Sequence, residues 1–215
     1  MNRLKRLKYA KEMLGRQFDF WDTVIWSDES KFNLFSSDGK TMVWRSRDEE
    51  FDPKCTVPTV KHGGGSVMVW GCFTKKGVGN LCILDRIMDR FYYRQILEDN
   101  LLPSIQQLGL GSNFTFMHDN DPKHTSALVK DWLRNNGIQV LQWPSSSPHL
   151  NPIEHLWDVL EDRLKKHHAK NKTELALHLA EEWNNIELSV LTKLVGSVPS
   201  RLHECIKMKG YPTRY

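Results

Sequence analysis

The chain has 215 residues, 40% of them hydrophobic and 26% charged, with a net charge of +4 and a pI near 8.8. Those values fit one large or two small globular domains; no run reaches the roughly 18 apolar residues of a membrane helix, and the start, MNRLKRLKYAKEM, lacks the apolar stretch of a secretory signal. Cys55, Cys72, Cys82 and Cys205 are scattered without a C-x-x-C pair, so neither a zinc site nor a disulfide framework is indicated, and the thiols read as the reduced ones of an intracellular protein.

In chain order, residues 2–15 predict a basic helix. Arg3, Lys5, Arg6, Lys8 and Lys11 all precede the first acid, Glu12. They form either a solvated face above Leu4, Leu7 and Leu14 or a phosphate-contacting or nuclear-targeting surface. VIWSDES predicts a buried strand ending in acids, and KFNLF and TMVWR two short strands around a Ser36–Gly39 turn. Residues 46–65 carry two prolines and end in Gly63, Gly64 and Gly65, with no strand or helix period. They predict an excursion loop within a domain, because core-like sequence resumes at once in SVMVWGCFT.

GNLCILD predicts a further strand, and the apolar spacing from Phe91 to Leu108 is helical. FTFMHDN reads as a strand, HTSALVKDWLRNNG as a helix closed by Gly137, and IQVLQW as a strand. After the PSSSPHL loop, helices are predicted from Pro152 to about His168, over Thr173–Ile186 and over Val190–Lys207. Strands followed by βαβα alternation imply an α/β fold, a mixed sheet flanked by helices. Such sheets build sites at the carboxyl ends of neighbouring parallel strands.

Among the many acids, Asp28 and Asp119 stand where apolar strands, VIWS and FTFMH, run out. An acid there escapes the cost of burial yet stays on a rigid element, as a metal ligand should. Glu29 competes with Asp28, since alternation turns only one of the two toward a site and does not say which. Asp121 competes with Asp119, but Asp121-Pro122 reads as a helix N-cap followed by Pro at the first helical position. Glu154 fits either of two roles. Asn151-Pro152-Ile153-Glu154 resembles a capping box, and the same geometry would hold a third carboxylate rigidly in a helix's first turn. Phosphodiester transfer gives such a trio its use: two hard divalent ions on carboxylate oxygens can activate a nucleophile, stabilise a leaving oxygen and neutralise phosphate charge.

WSDES at 26–30, KHGGGSVMVWGCF at 61–73, MHDNDPKHTS at 117–126 and WPSSSPHLNPIEHLWDVLEDRLK at 143–165 strongly resemble the catalytic domain of the mariner/Tc superfamily of DNA transposases. The likeness spans nearly the whole chain. With 34 residues, 120–153, between Asp119 and a third acid that is Glu, it is similar to the Tc branch, whereas mariner proper has Asp third. The resemblance implies a ribonuclease-H-like fold with an inserted clamp-type loop, and a catalytic, metal-binding triad of Asp28, Asp119 and Glu154 holding two Mg²⁺ ions, with Mn²⁺ able to substitute. It implies cut-and-paste transposition: hydrolysis at transposon ends, then attack of the freed 3′-OH on a TA target. The implied partners are double-stranded DNA and further copies of the chain, in a homodimer or higher assembly, with no membrane; the implied place is the nucleus. Candidate DNA contacts are Arg3, Lys5, Arg6 and Lys8 on the helix, Lys61, His62, Gly63, Gly64 and Gly65 in the loop, and Asp121, Lys123 and His124 in DPKHTS. His124 reads equally as a surface histidine, and His118 either packs or hydrogen-bonds near the site.

The family also carries an N-terminal DNA-binding region with two helix-turn-helix units. None precedes the basic helix here. Residues 1–20 are therefore expected to end a linker and 21–215 to form the catalytic domain with its insertion at about 46–65; specific end recognition is not expected of this chain alone. Two further readings stay open, a nuclease of the same fold that cuts without joining and a domesticated, non-catalytic DNA-binding protein. The latter would be marked by a decayed acid, and all three are intact.

Overall fold

A computed structural model describes residues 2–34, 65–213 and 215. The Ser36–Gly39 turn, the 41–45 strand and all of the excursion loop except Gly65, including Lys61, His62, Gly63 and Gly64, lie outside the described residues.

Strand β1 (Val24–Asn33) is the axis of the fold. Its apolar start, Val24, Ile25 and Trp26, is fully buried, and the strand continues through the acids to Asn33. VIWSDES and KFNLF thus belong to one strand, and Asp28 lies inside it. The continuation is possible because β2 (Ser66–Thr74) pairs antiparallel along it, from Trp26↔Phe73 to Asn33↔Ser66, and supplies the ladder after other support ends. Strand β3 (Gly77–Leu84) pairs antiparallel with β2. On the other side, β4 (Thr115–Met117) and β5 (Gln139–Val140) run parallel, giving, among the described residues, a mixed five-stranded sheet in the order β3-β2-β1-β4-β5.

Helices cover both faces. Alternation along β1 sends Val24, Trp26 and Phe32 into one core and Ile25 into the other. The first core is closed by α1 (Asn2–Met13), α5 (Pro152–Leu164), α6 (Lys172–Asn184), α7 (Leu188–Gly196) and α8 (Val198–Lys207). The second lies under α2 (Arg90–Ile96), a wider π-type turn at Leu97–Leu101, α3 (Leu102–Gln107) and α4 (Ala127–Asn135). The helical stretch expected over Val190–Lys207 is two helices. They part at Ser197, where Pro199 enters at the start of α8 and cannot supply an N–H to a continuing helix. Asp121 is not the N-cap of α4. Ser126 fills that place, accepting from Val129 N at 3.4 Å, while Asp121 closes a tight turn by accepting from Lys123 N at 2.9 Å.

Candidate active site

The parallel register between β1 and β4 ends at Trp26↔Met117. Asp28 and Asp119 each stand two residues beyond that last rung, where the two strands diverge. Alternation settles which of the neighbouring acids faces which side. Asp28 pairs with Gly71 in the antiparallel register and shares its face with α5, while Glu29 faces the side of α2 and α4. Gly71 matters because it has no side chain: a Cβ there would lie 2.7 Å from Trp157 Cη2 and 3.1 Å from Trp183 Cη2. The two indoles, stacked with centroids 5.1 Å apart, therefore close the sheet directly beside Asp28.

Asp28 accepts from the Glu29 amide at 2.8 Å and from Asn151 Nδ2 at 3.2 Å. Burial pushes its carboxyl well above the usual carboxylate range, and the charges of Glu29 and Glu154 push it further. Asp119 is held otherwise. Its Oδ1 accepts from the Asp121 amide at 2.9 Å and lies 2.6 Å from His124 Nδ1. Burial works to raise this carboxyl, but the His124 and Asp121 hydrogen bonds outweigh it and hold the group below its ordinary value.

His124 is 2% exposed, so it is not a surface histidine. Its Nε2 lies 3.4 Å from Glu29 Oε1, within ion-pair reach though not aligned as a hydrogen bond. Burial disfavours its charge, but Asp119 and Glu29 prevail and raise it to about 9. The Tyr93 ring stacks on it at 3.8 Å. His118 both packs and hydrogen-bonds: burial, then the His124 charge, lower it to about 3, and its Nδ1 shares a hydrogen bond with the Tyr93 hydroxyl at 3.0 Å.

Glu154 enters from the first turn of α5. Asn151 caps that helix by accepting from Ile153 N, and its side-chain amide also reaches Ser27 O and Asp28. The Asn151 N–H is donated to Pro148 O, so the reciprocal half of a capping box is absent and the Glu154 carboxyl is left for another task. Burial, then the charge of Asp158, raises that carboxyl, while Arg201 and the neighbouring Asp28 lower it.

Asp28, Glu29, Asp119 and Glu154 thus act on one another electrostatically around the divergence of β1 and β4. All four offer hard oxygen donors, the ligand type that divalent ions such as Mg²⁺ or Mn²⁺ take. Among the described residues no group of three His, Cys, Asp or Glu side chains is gathered to hold an ion as it stands. Asp119 Oδ1 is engaged by His124. A cleft of about 600 Å³ opens beside His118, Asn120 and His124, with Lys130, Arg134 and Trp143 on its walls.

The candidate DNA contacts fall into separate environments. Arg3, Lys5 and Lys8 are exposed on α1. Arg6 is turned inward, 8% exposed, and donates to Gly210 O at 2.9 Å and Ser146 O at 3.0 Å, so its role is structural. Lys123 Nζ is paired with Asp121 at 2.7 Å. Gly65 adopts φ +106°, with the Lys172 side chain occupying the place a Cβ would take. Three residues acquire roles beyond the sequence reading. Glu29 is the rear partner of His124, Asn151 tethers Asp28, and Arg201, to which no motif pointed, sits in the field of Glu154.

Residues 23–176 match the family described as DDE superfamily endonuclease. The whole chain aligns with the transposable element Tc1 transposase of Caenorhabditis elegans at 49% identity, covering 78% of that protein, and with the Tcb1 transposase of Caenorhabditis briggsae at 45%, again covering 78%. In structure it is similar to the mariner Mos1 paired-end complex with Mg, with a TM-score of 0.87 and 18% identity over 99% of this chain and 64% of that one. The chain therefore spans less than two thirds of the Mos1 chain in that complex. Against the mariner catalytic domain alone, of which it covers 96%, the TM-score is 0.77. These likenesses show the ribonuclease-H-like fold.

Proposed function

Since the chain belongs to the DDE superfamily of endonucleases, among the Tc1-type transposases, we propose that residues 21–215 are the catalytic core of a cut-and-paste transposase that hydrolyses phosphodiesters at transposon ends and joins the freed 3′-OH to a TA target. What supports this is the placement of three acids: Asp28 and Asp119 each stand two residues past the last β1–β4 rung, and Glu154 stands in the first turn of α5, where its charge acts on Asp28.

Asp28, Asp119 and Glu154 would hold two divalent ions. When bound, these supply Lewis-acid activation of the attacking oxygen and stabilisation of the leaving one. The protein's own residues position and charge the site. Asn151 orients Asp28, the Asp121 amide and His124 orient Asp119, and Glu29 keeps His124 charged. Release of Asp119 from His124 would free its oxygen for an ion. Trp157 and Trp183 keep water from the sheet side of Asp28. The cleft walled by Lys130, Arg134 and Trp143 offers cations and a ring face to a DNA strand. Double-stranded DNA, a second copy of the chain across paired ends, and a nuclear place of work complete this reading; the paired-end complex of Mos1, a protein of the same fold, supports the first two.

Cleavage of pre-nicked transposon-end DNA with Mg²⁺ or Mn²⁺ tests the assignment. Asp28→Asn, Asp119→Asn and Glu154→Gln should each reduce the rate at least about 1,000-fold with the fold retained, because each removes a ligand on which transition-state stabilisation depends. Activity surviving in two of the three would refute the triad. Strand-transfer products with a target plasmid separate a transposase from a nuclease that only cuts.

A further inference from the structure

Two buried arginines, one from near each end of the described chain, close on the same short loop. Arg6 of α1 donates to Ser146 O, and Arg201 of α8 donates to His149 O at 3.0 Å. Arg201 is 1% exposed, and its Nε is fixed by Ser197 Oγ at 2.9 Å. Burying a guanidinium costs several kcal/mol unless its donors are used, so it is retained where it orders something. What it orders is legible in the chain that follows. His149 lies in the tight turn Pro148–Leu150, which delivers Asn151. Asn151 caps α5, reaches Asp28 Oδ2, and sets the first turn that carries Glu154. The loop is not held by its own preference, since Ser146 adopts φ +55°, a left-handed conformation costly for a residue with a Cβ.

We propose that Arg201, assisted by Arg6, is a positioning residue for the metal-binding carboxylates: it clamps the Ser146–His149 loop and thereby fixes Asn151, Asp28 and Glu154 in ligating geometry. Residue 201 lies outside the stretch 23–176 that matches the family, so the catalytic sheet depends here on a helix beyond it. The role rests on the assignment of Asp28 and Glu154 as ligands. Arg201 touches neither substrate nor ion; it acts through a backbone carbonyl.

Mn²⁺ binding to the metal-free chain, measured by calorimetry well below the melting temperature, tests this beside the Mn²⁺ midpoint of DNA cleavage. R201K keeps the charge and loses the forked donor geometry. It should weaken Mn²⁺ binding about ten-fold, as loss of a group that orients metal ligands does. It should raise the cleavage midpoint by the same factor, with most of the maximal rate recovered at saturating Mn²⁺; a purely structural role would leave both midpoints unmoved in the folded variant. E154Q separates the two ideas. If E154Q weakens Mn²⁺ binding and folded R201K does not, the positioning role is overturned alone. If E154Q binds Mn²⁺ as the parent does, the ligand assignment fails and the positioning role with it. Should R201K not fold, S197A removes the guanidinium's Nε partner, together with the Ser197 bond to Leu194 O, and should weaken Mn²⁺ binding about three-fold, in keeping with loss of a neutral hydrogen bond to the clamp; unchanged binding there overturns the proposal.

Discussion

Asp28 and His124 are both buried ionisable groups of the acidic cluster, and their protons respond to it in ways that can be measured. The unfolded chain ionises Asp28 in the ordinary range, whereas the folded chain resists because of burial and the charges of Glu29 and Glu154. Below that range Asp28 costs nothing. As pH climbs the unfolded state ionises first, and stability falls until the folded group ionises too. Asp28→Asn removes this loss, so its metal-free melting temperature should exceed the parent's by an amount that grows from pH 4 to pH 7. A gain of about 1 kcal/mol corresponds to roughly 2–4 °C in a chain this size. Equal melting curves at pH 7 would count against a charged, buried Asp28. His124 behaves in the opposite sense to His118. Its stabilisation is fully present below 6.5 and is lost as pH rises toward about 9. That of His118 is present above 6.5 and is lost as pH falls toward about 3. The two histidines together favour stability near pH 6.5, and His124→Gln should abolish the alkaline loss, worth roughly 3 kcal/mol at most. Metal-free denaturation from pH 6 to pH 9.5 measures it; an alkaline loss unchanged in the variant would mean that the Asp119–His124–Glu29 contacts do not hold in solution.

At the scale of elements, the contact between β2 and α5 decides where Glu154 stands. Gly71 faces Trp157 with no room for a Cβ. Gly71→Ala must therefore push α5 outward or tilt its indole, at about 1–3 kcal/mol for overpacking. Because α5 carries Glu154 in its first turn, cleavage should fall more than stability loss explains. A melting curve and a cleavage rate taken at the same temperature test this, and a stable variant with full activity would show that Glu154 tolerates movement of its helix. The sequence made part of this arrangement readable. The apolar run VIWS located β1, and Asn151-Pro152 located the start of α5, because burial and capping act locally. It did not show that VIWSDES and KFNLF form one strand, since the ladder that sustains it comes from β2, some forty residues later. Nor could spacing separate a capping Glu154 from a ligating one. That difference lies in where the Asn151 N–H points, and it is donated to Pro148 O. The expected cap at Asp121 failed for a similar reason: Asp-Pro starts a turn as readily as a helix, and Ser126 follows close behind.

Over the whole molecule, the basic run near the start divides into two populations that a linear reading merges. Helix α1 packs on α8, and Arg6 is drawn beneath it to the carbonyls of Gly210 and Ser146. Lys5 and Lys8 remain exposed, Lys8 only loosely paired with Glu12 at 3.7 Å. The Ser146 loop that Arg6 grips leads to Asn151 and Glu154, so the exposed cations of α1 stand on the body that carries the site. If they contact DNA, they contact phosphates, and phosphate contacts position without reading sequence. Binding of this chain to a transposon-end duplex should therefore weaken steeply with salt and scarcely distinguish that duplex from a scrambled one. Replacing Lys5 and Lys8 together by Gln should flatten the log–log salt slope by about 0.9 for each phosphate no longer neutralised, with stability unchanged. Arg6→Gln should do the reverse. It should cost about 1–3 kcal/mol by leaving two buried carbonyls unsatisfied, and leave the slope of the folded protein where it was. Titrations of both duplexes at several salt concentrations, with melting curves of each variant, decide the matter. A slope that follows Arg6 and ignores Lys5 and Lys8 would mean that the inward arginine opens to meet the DNA, and the division of α1 into structural and phosphate-facing cations would fall.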